Sequence, residues 1–307
     1  MRSAPEHLEA VLSRVTALEP LEVGLLGSVG LVLAQDVAIV EDGTEYKLLT
    51  RGTQIAPRHV ALMAAANLGR VLVHPMPRVV VLTVGADLTD PGHDGELVPD
   101  INGVALTSAA TAAGAMTFRV GPLAGDEHSL RSALEDQLVR ADVILTACGM
   151  SAGDYEVLTS VLSSIGKMDF VKVSMSPGSA QGFGSIGPDE TPIFVLPGNP
   201  VGALLSFDVF VRPFIRAMMG QASLHHRVIE AKLEAELQSN LADTHYIRAR
   251  VVNTDGGFTV RSLEDSEAHP LAGLGTADAL IIVPSGVEKV QAGETVAVML
   301  LDPQANQ

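Results

Sequence analysis

The chain predicts an α/β protein in which a central, doubly wound, mostly parallel sheet stands between an N-terminal α+β region and a small C-terminal β domain. Three observations carry this prediction. From Arg78 to Gly220, β-branched apolar runs alternate with stretches of helical spacing, the order of a parallel sheet covered on both faces. Within that region the run Val143 to Thr146 breaks into a small-residue turn with Gly149, Ser151 and Gly153, and a helical pattern resumes at about Tyr155. After Arg227 the pattern changes to strands separated by turns such as Asp255-Gly256-Gly257.

The elements follow in order. Residues 3 to 18 read as an amphipathic helix capped by Ser3, because Leu8, Val11, Leu12 and Val15 recur at helical spacing. Leu31 to Ile39 is strand-like and joins Tyr46 to Leu49 through a turn at Glu41 to Glu45 that contains Asp42-Gly43. A helix after Pro57 runs to about Leu68, closed by Gly69, and Val71 to His74 is a short strand. Pro75-Met76-Pro77 reads as a linker, which ends a first domain at residues 1–75.

In the second domain, residues 78–220, Val79 to Thr83 is a strand and Asn102 caps a small-residue helix ending by Gly114. Met116 to Val120 is the next strand, and Asp126 caps a helix to Arg140. The helix after the central turn places Val157, Leu158, Val161, Leu162 and Ile165 on one face and stops at Gly166, read as a C-cap glycine. Phe170 to Val173 and Ile193 to Leu196 add two strands. Pro197-Gly198-Asn199-Pro200 opens another helix, with Asn199 capping and Pro200 in the first turn, where a missing N–H costs nothing. Pro213 should kink that helix and Gly220 end it. Residues 228–307 form the β domain, with strands at Tyr246 to Val252, Phe258 to Leu263, Ala279 to Val283 and Val296 to Leu301.

Bulk properties narrow the function. No stretch of the 307 residues approaches the roughly 18 uninterrupted apolar residues of a membrane span, and the N-terminus lacks the layout of a secretory signal. One cysteine, Cys148, excludes an intrachain disulfide framework, so the expected location is cytoplasmic, without membrane insertion. With 20 Lys+Arg against 36 Asp+Glu, a net charge of -16 and no basic cluster, nucleic acid is not an expected partner. A small anionic ligand is compatible, because N–H groups and a few cations act locally. In open α/β sheets such ligands sit where a strand's carboxyl end meets a helix N-terminus, which marks the Gly149 to Gly153 turn. A plain strand-to-helix turn needing glycine for backbone reasons is the other reading of the same residues.

Four separated stretches then resemble one family. ILTACGMSAGD, residues 144–154, resembles the S-G-G-x-S-x-G turn of molybdopterin-binding domains, and VLPGNPVGALLSF, residues 195–207, is similar to L-P-G-N-P-V-S-A-x-x-x-F. VSMSPGSAQGFG, residues 173–184, resembles a K-P-G-K-P segment, and Val98 to Asn102 is similar to a Y-D-x-N stretch. In that order they resemble the molybdopterin molybdenumtransferase family, of the MoeA and gephyrin E-domain type. The family's inserted module, which begins D-N-S-A-M-D-G-Y-A, is here reduced to the turn at residues 41–45.

The resemblance implies a homodimer paired through the first domain, and binding of adenylylated molybdopterin and molybdate with exchange of AMP for molybdenum on the dithiolene. It implies a ligand site of Gly149, Ser151, Gly153, Ser176, Gly178, Ser179, Pro197, Gly198, Asn199, Pro200, Asp100 and Asn102. It implies catalytic carboxylates at Asp87, Asp154 and Glu156, with Asp87 and Glu156 as ligands for a divalent ion such as magnesium. Asp154 as a helix N-cap, and Asp100 and Asn102 as helix caps, are the structural readings of the same residues. His225, His226, His245 and His269 lack metal-type spacing and read as surface residues.

Several positions depart from the family pattern. Ala147 and Cys148 stand where the family has Ser and Gly, and Cys148 reads as a small buried hydrophobe. In Val84-Gly85-Ala86-Asp87-Leu88 one of two family acids is Ala86, and the two lysines of K-P-G-K-P are Ser176 and Ser179. Hydrogen bonds to charged groups contribute roughly 1.5 to 3 kcal/mol each, so losing both lysines costs on the order of a hundredfold in anion affinity unless something replaces them. Lys172 is the near cation in sequence, on a strand face. The expected function is therefore molybdopterin binding in molybdenum cofactor biosynthesis, with other proteins of that pathway as partners and turnover reduced or lost. The alternative is an inactive, gephyrin-like scaffold for a protein partner.

Overall fold

The computed structural model describes residues 1–93, 95–149, 151–239, 241–263 and 272–301. Helix α1 (Ala4–Leu12) opens the chain, and Ser3 and Glu6 form a reciprocal capping box at its start. It ends six residues earlier than its periodicity predicts. The chain after it is drawn out to the central region, where the Leu18 N–H donates to the Met218 carbonyl.

The first region is a small α+β unit. Strands β1 (Leu21–Gly24) and β2 (Val32–Leu33) flank β5 (Arg70–His74), and β3 (Val37–Glu41) and β4 (Thr44–Leu49) form a hairpin. The expected single strand at Leu31 to Ile39 is thus two, because the Ala34 N–H turns to the Leu72 carbonyl and Asp36 accepts from the Arg51 N–H. The hairpin turn has Asp42 at φ 50° and Gly43 at φ 78°, the primed geometry that suits twisted strands. Helix α2 (Pro57–Ala65) stops before Gly69. Asn67 takes the left-handed conformation, and the Leu68 N–H returns to the Met63 carbonyl in a Schellman arrangement. Leu33, Val37, Ile55, Met63, Val71 and Val73 fill the core of this unit.

In the central region β6 (Arg78–Val84), β7 (Met116–Leu123), β8 (Val143–Cys148) and β11 (Thr191–Leu196) run parallel in the order β7-β6-β8-β11. Strands β9 (Gly166–Ser176) and β10 (Ala180–Ile186) extend the sheet antiparallel beyond β11. Alternate strand residues serve two cores. Val79, Val81, Val143, Leu145, Phe194 and Leu196 pack under helices α3 (Ile101–Ala112), α6 (Pro200–Ser206) and α7 (Arg212–Met218). Val80, Leu82, Ile144, Ile193 and Val195 pack under α4 (Glu127–Leu138) and α5 (Ala152–Ile165). This period of two on strands buried from both sides explains the unbroken apolar runs.

Asp126 and Asn199 cap α4 and α6 as their positions predict. Three other expectations are corrected. The cap of α3 is Asp100, whose Oδ1 accepts from the Gly103 N–H at 2.8 Å, and not Asn102. Helix α5 begins at Ala152, so Asp154 lies in its first turn and is not its cap. Gly166 is extended, at φ -162°, and is the first residue of β9 rather than a C-cap glycine. Pro213 acts one turn early. It has no N–H for the carbonyl four residues back, and the helix widens into a π turn over Phe207–Val211, where the Arg212 N–H reaches Phe207.

The last strands, β12 (Val228–Leu233), β13 (Thr244–Thr254), β14 (Gly257–Ser262), β15 (Ala279–Val283) and β16 (Thr295–Leu300), close on themselves in the order β13-β14-β12-β16-β15-β13. Closure leaves no open edge. Among the described residues no helix is long and apolar enough to cross a membrane.

Candidate ligand cleft at the carboxyl ends of the sheet

After β6 the chain crosses through α3 to β7 on one side, then through α4 to β8 on the other. The segments leaving β6 and β8 therefore diverge at their carboxyl ends, the place where open α/β sheets form a crevice. A cleft lies there. Asp87 and Leu88 come from the β6 end, Gly149 from the β8 end, Gly198 and Pro200 from the β11 end, and Val98 to Asn102 close it at the start of α3.

The backbone at the base of the cleft is held very close. A Cβ at Gly198 would sit 2.5 Å from the Gly149 carbonyl oxygen and 3.2 Å from that of Cys148, so only glycine fits. Asn102, 7% exposed, donates from Nδ2 to the Gly198 carbonyl at 2.7 Å and to that of Cys148 at 3.4 Å. It staples the two motif turns together from α3. Asn102 is thus not a cap; it lines the cleft from α3, and its Oδ1 has no partner among the described residues. The Pro197–Pro200 turn is completed by Asn199, whose Oδ1 accepts from the Val201 and Gly202 N–H groups.

Beneath the cleft, Asp100 is 1% exposed and its oxygens are fully engaged. Thr83 Oγ1 and Arg119 Nη2 donate to Oδ2 at 2.6 and 2.7 Å, beside the Gly103 N–H at Oδ1. Arg119 also reaches Asp90 through Nη1 at 2.6 Å. Neither Thr83 nor Arg119 follows from the motifs, although an arginine within the apolar run Met116 to Val120 is a visible irregularity. With these partners Asp100 is an anchored carboxylate that ties the start of α3 to β6 and β7.

Other predicted residues lie apart from this knot. Ser151, Gly153, Asp154 and Glu156 belong to the start of α5; Ser151, Gly153 and Glu156 are exposed, and none of the four lines the cleft. Asp154 lies against Gly125, whose Cβ position its carboxylate fills. Cys148 is buried, and burial, with a smaller contribution from Asp154, pushes its thiol up to about 12, which makes it inert. Asp87 is exposed at the cleft wall, whereas Glu156 is not part of it. Among the described residues no group of three His, Cys, Asp or Glu converges as metal ligands, and Asp87 and Glu156 do not line one cleft.

Ser176, at the end of β9, and Gly178 and Ser179, in the turn between β9 and β10, sit on the opposite flank of α6. Gly178, at φ 91°, lies against α6, where its Cβ would be 3.1 Å from the Gly202 carbonyl oxygen. Pro177 of this turn lines a second, apolar cleft with Val201, Leu204, Asp208, Tyr246 and Arg248. Arg248 is a cation that the motifs do not reveal. Lys172 pairs with Ala180 and borders a groove with Arg2 and Glu6, away from this cleft.

His226 corrects the surface reading of the histidines. Its Nε2 lies 2.9 Å from Asp208 Oδ1, and its side chain is only 11% exposed. His225 is exposed, His245 is half-buried, and His269 lies outside the described residues.

Residues 80–217 match the family model of a probable molybdopterin binding domain, and residues 230–301 match that of the MoeA C-terminal region, domain IV. The chain is 40% identical over 259 residues to molybdopterin molybdenumtransferase 1 of Mycobacterium tuberculosis, a match covering 81% of this chain and 60% of the relative. It is 35% identical over 255 residues to molybdopterin molybdenumtransferase 2 of the same species, covering 80% and 62%. The chain thus spans about 60% of the length of these curated relatives. The solved molybdopterin biosynthesis MoeA protein of Pyrococcus horikosii superposes with a TM-score of 0.81 at 18% identity, over 98% of this chain and 99% of that one, a likeness of fold.

Proposed function

Because the chain belongs to the molybdopterin molybdenumtransferase family of the MoeA type, we propose that it acts in molybdenum cofactor biosynthesis by binding adenylylated molybdopterin at the cleft between Gly149 and Gly198. The observation that carries this reading is the joint made by Asn102, Cys148–Gly149 and Gly198, which fixes two motif turns across one cleft at the carboxyl ends of β6, β8 and β11. Apolar walls from Leu88, Val98, Pro99 and Ile101 suit a flat heterocycle, and the exposed Asp87 carboxylate suits its N–H donors. Among the described residues that line it there is no lysine or arginine, so the anionic parts of the ligand rely on N–H groups and on the cleft that holds Arg248.

Molybdate is the second substrate, and turnover is reduced relative to the family because Ser176 and Ser179 replace charged side chains and Asp100 has no free oxygen. We place the protein in the cytoplasm, divided at about residues 1–75, 78–220 and 228–307. We also propose a homodimer formed through the first of these divisions, where Leu26, Val29 and Val40 are exposed. Sedimentation equilibrium giving a monomer would contradict the dimer.

A second reading, favoured by the same two serines, is a scaffold that keeps the fold and binds a protein partner without turnover. Expression in a strain lacking its molybdenumtransferase separates the two, with calorimetry for molybdopterin alongside. Restored molybdoenzyme activity removes the scaffold reading. No restoration together with no detectable binding removes the proposed function.

A further inference from the structure

The turn that has lost both lysines is held by a residue outside every motif. Gln181, 2% exposed, donates from Nε2 to the Gly178 carbonyl and to Ser206 Oγ, both at 2.6 Å. Ser206, itself fully buried on α6, donates in turn to the Gly202 carbonyl at 2.7 Å. Gly178 is left-handed, at φ 91°, and a Cβ there would sit 3.0 Å from Ser206 Oγ, so the backbone lies directly on the helix.

The Gly178–Ser179 peptide is trans, since the cis bonds are at Gly121-Pro122 and Ser176-Pro177. In a trans peptide the carbonyl and the following N–H point in opposite directions. With the Gly178 carbonyl drawn inward to Gln181, the Ser179 N–H is turned outward, away from α6. Among the described residues none accepts from that N–H, while the Ser179 carbonyl is used by the Val173 N–H at 2.7 Å. Residues 176–179 are half-buried, and Pro177 of this turn lines the apolar cleft that also holds Arg248.

We propose that Gln181 is a positioning residue for an oxyanion contact. By fixing the Gly178 carbonyl it aims the Ser179 N–H, in a turn that also carries the Ser176 and Ser179 hydroxyls, at a tetrahedral oxyanion of the substrate. Neutral donors held in place thus take over a contact that lysines make by charge, which is the way backbone N–H groups bind anions elsewhere. This inference rests on the molybdopterin reading, and its oxyanion is either molybdate or a phosphate group.

The test is a titration of the ¹⁵N-labelled full chain with sodium molybdate and, separately, with inorganic phosphate, following the Ser179 amide. The expected result is a saturable Ser179 shift with at least one anion, weakened about tenfold in Gln181→Met, the size expected when the hydrogen bond that aims the Ser179 N–H is lost. The amides of Gly149 and Gly198 should stay unmoved, which a general loss of structure would not allow. Ser206→Ala, which removes one of the two partners of Gln181 and no ligand contact, should weaken the shift by a smaller factor, and it decides the matter if Gln181→Met does not fold. A Ser179 amide that responds to neither anion, or equal affinity in wild type and a folded variant, overturns the proposal. Calorimetric binding of molybdopterin without a Ser179 response overturns it while leaving the cleft reading standing; no binding and no response overturns both.

Discussion

Helix α6 has two flanks, and they solve the same problem with different chemistry. On one flank Gly198 and Pro200 face Gly149 across the cleft, and the contacts are backbone against backbone with Asn102 as the staple. On the other, Gly202 and Ser206 hold the Ser176–Ser179 turn through Gln181. The first flank keeps Asn102, Gly149, Gly198 and Pro200 of the family pattern beside a Cys148 that departs from it; the second has exchanged two charges for hydroxyls while keeping its glycine. Shape at both places rests on close backbone approach, which tolerates no added side chain. Charge depends on surface side chains that can change without disturbing the backbone. A binding site can therefore lose affinity long before it loses form.

This contrast can be broken at its strongest point by Arg119→Ala, which leaves the Asp100 carboxylate buried without a counter-charge. Removing one partner of a buried pair destabilises by about 3 to 5 kcal/mol, and part of the Arg119 side chain is exposed, so the low end is expected, read by chemical denaturation. Arg119→Lys should recover part of that, and an unchanged midpoint in the alanine variant would refute the anchoring role.

Next in size, restoring charge with the double substitution Ser176→Lys and Ser179→Lys should raise molybdate affinity by about a hundredfold with little change in stability. Equal affinity would mean that the turn does not face the anion.

Gly198→Ala tests the other flank. Its methyl group must displace the Gly149 carbonyl, at a cost of about 1 to 3 kcal/mol, and molybdopterin binding should fall while anion binding at the Ser176–Ser179 turn persists. Loss of both together would show one coupled site instead of two flanks.

Cys148 offers a test that alters no side chain. With its thiol pushed up to about 12, the thiolate is scarce at pH 8, and alkylation of the native protein should run about a thousandfold slower than for an ordinary thiol. The reaction should quicken as pH rises toward 12 or when the protein unfolds. Fast labelling at pH 8 without unfolding would contradict the burial.

Much of the fold can be read along the chain because its signals are local. Ser3, Asp126 and Asn199 cap helices where their positions predict, since an N-cap needs only a short polar side chain two or three residues before the N–H groups that it serves. Where the reading failed, a distant partner decided. Asp100 and Asn102 are both capable caps by residue type. Thr83 and Arg119 hold Asp100 in that role, while the Cys148 and Gly198 carbonyls draw Asn102 away from it. The segment after Ser176 contains Gly178, Gly182 and Gly184, and the sequence analysis assigns it no element. Pairing with β9 and β11 makes it the strand β10, and its glycines let those neighbours approach.

The sequence by itself determined the alternation of strands and helices, the placing of the glycine-bearing turns and the family resemblance, all of which depend on neighbours within a few residues. Only the tertiary structure decided which carboxylate is anchored, which amide staples two turns together, and that Gln181 and Arg248 stand beside the altered Ser176–Ser179 turn. These are contacts between residues far apart in the chain. They form when sheet order brings strand ends together, and no local pattern encodes which side chains will then meet.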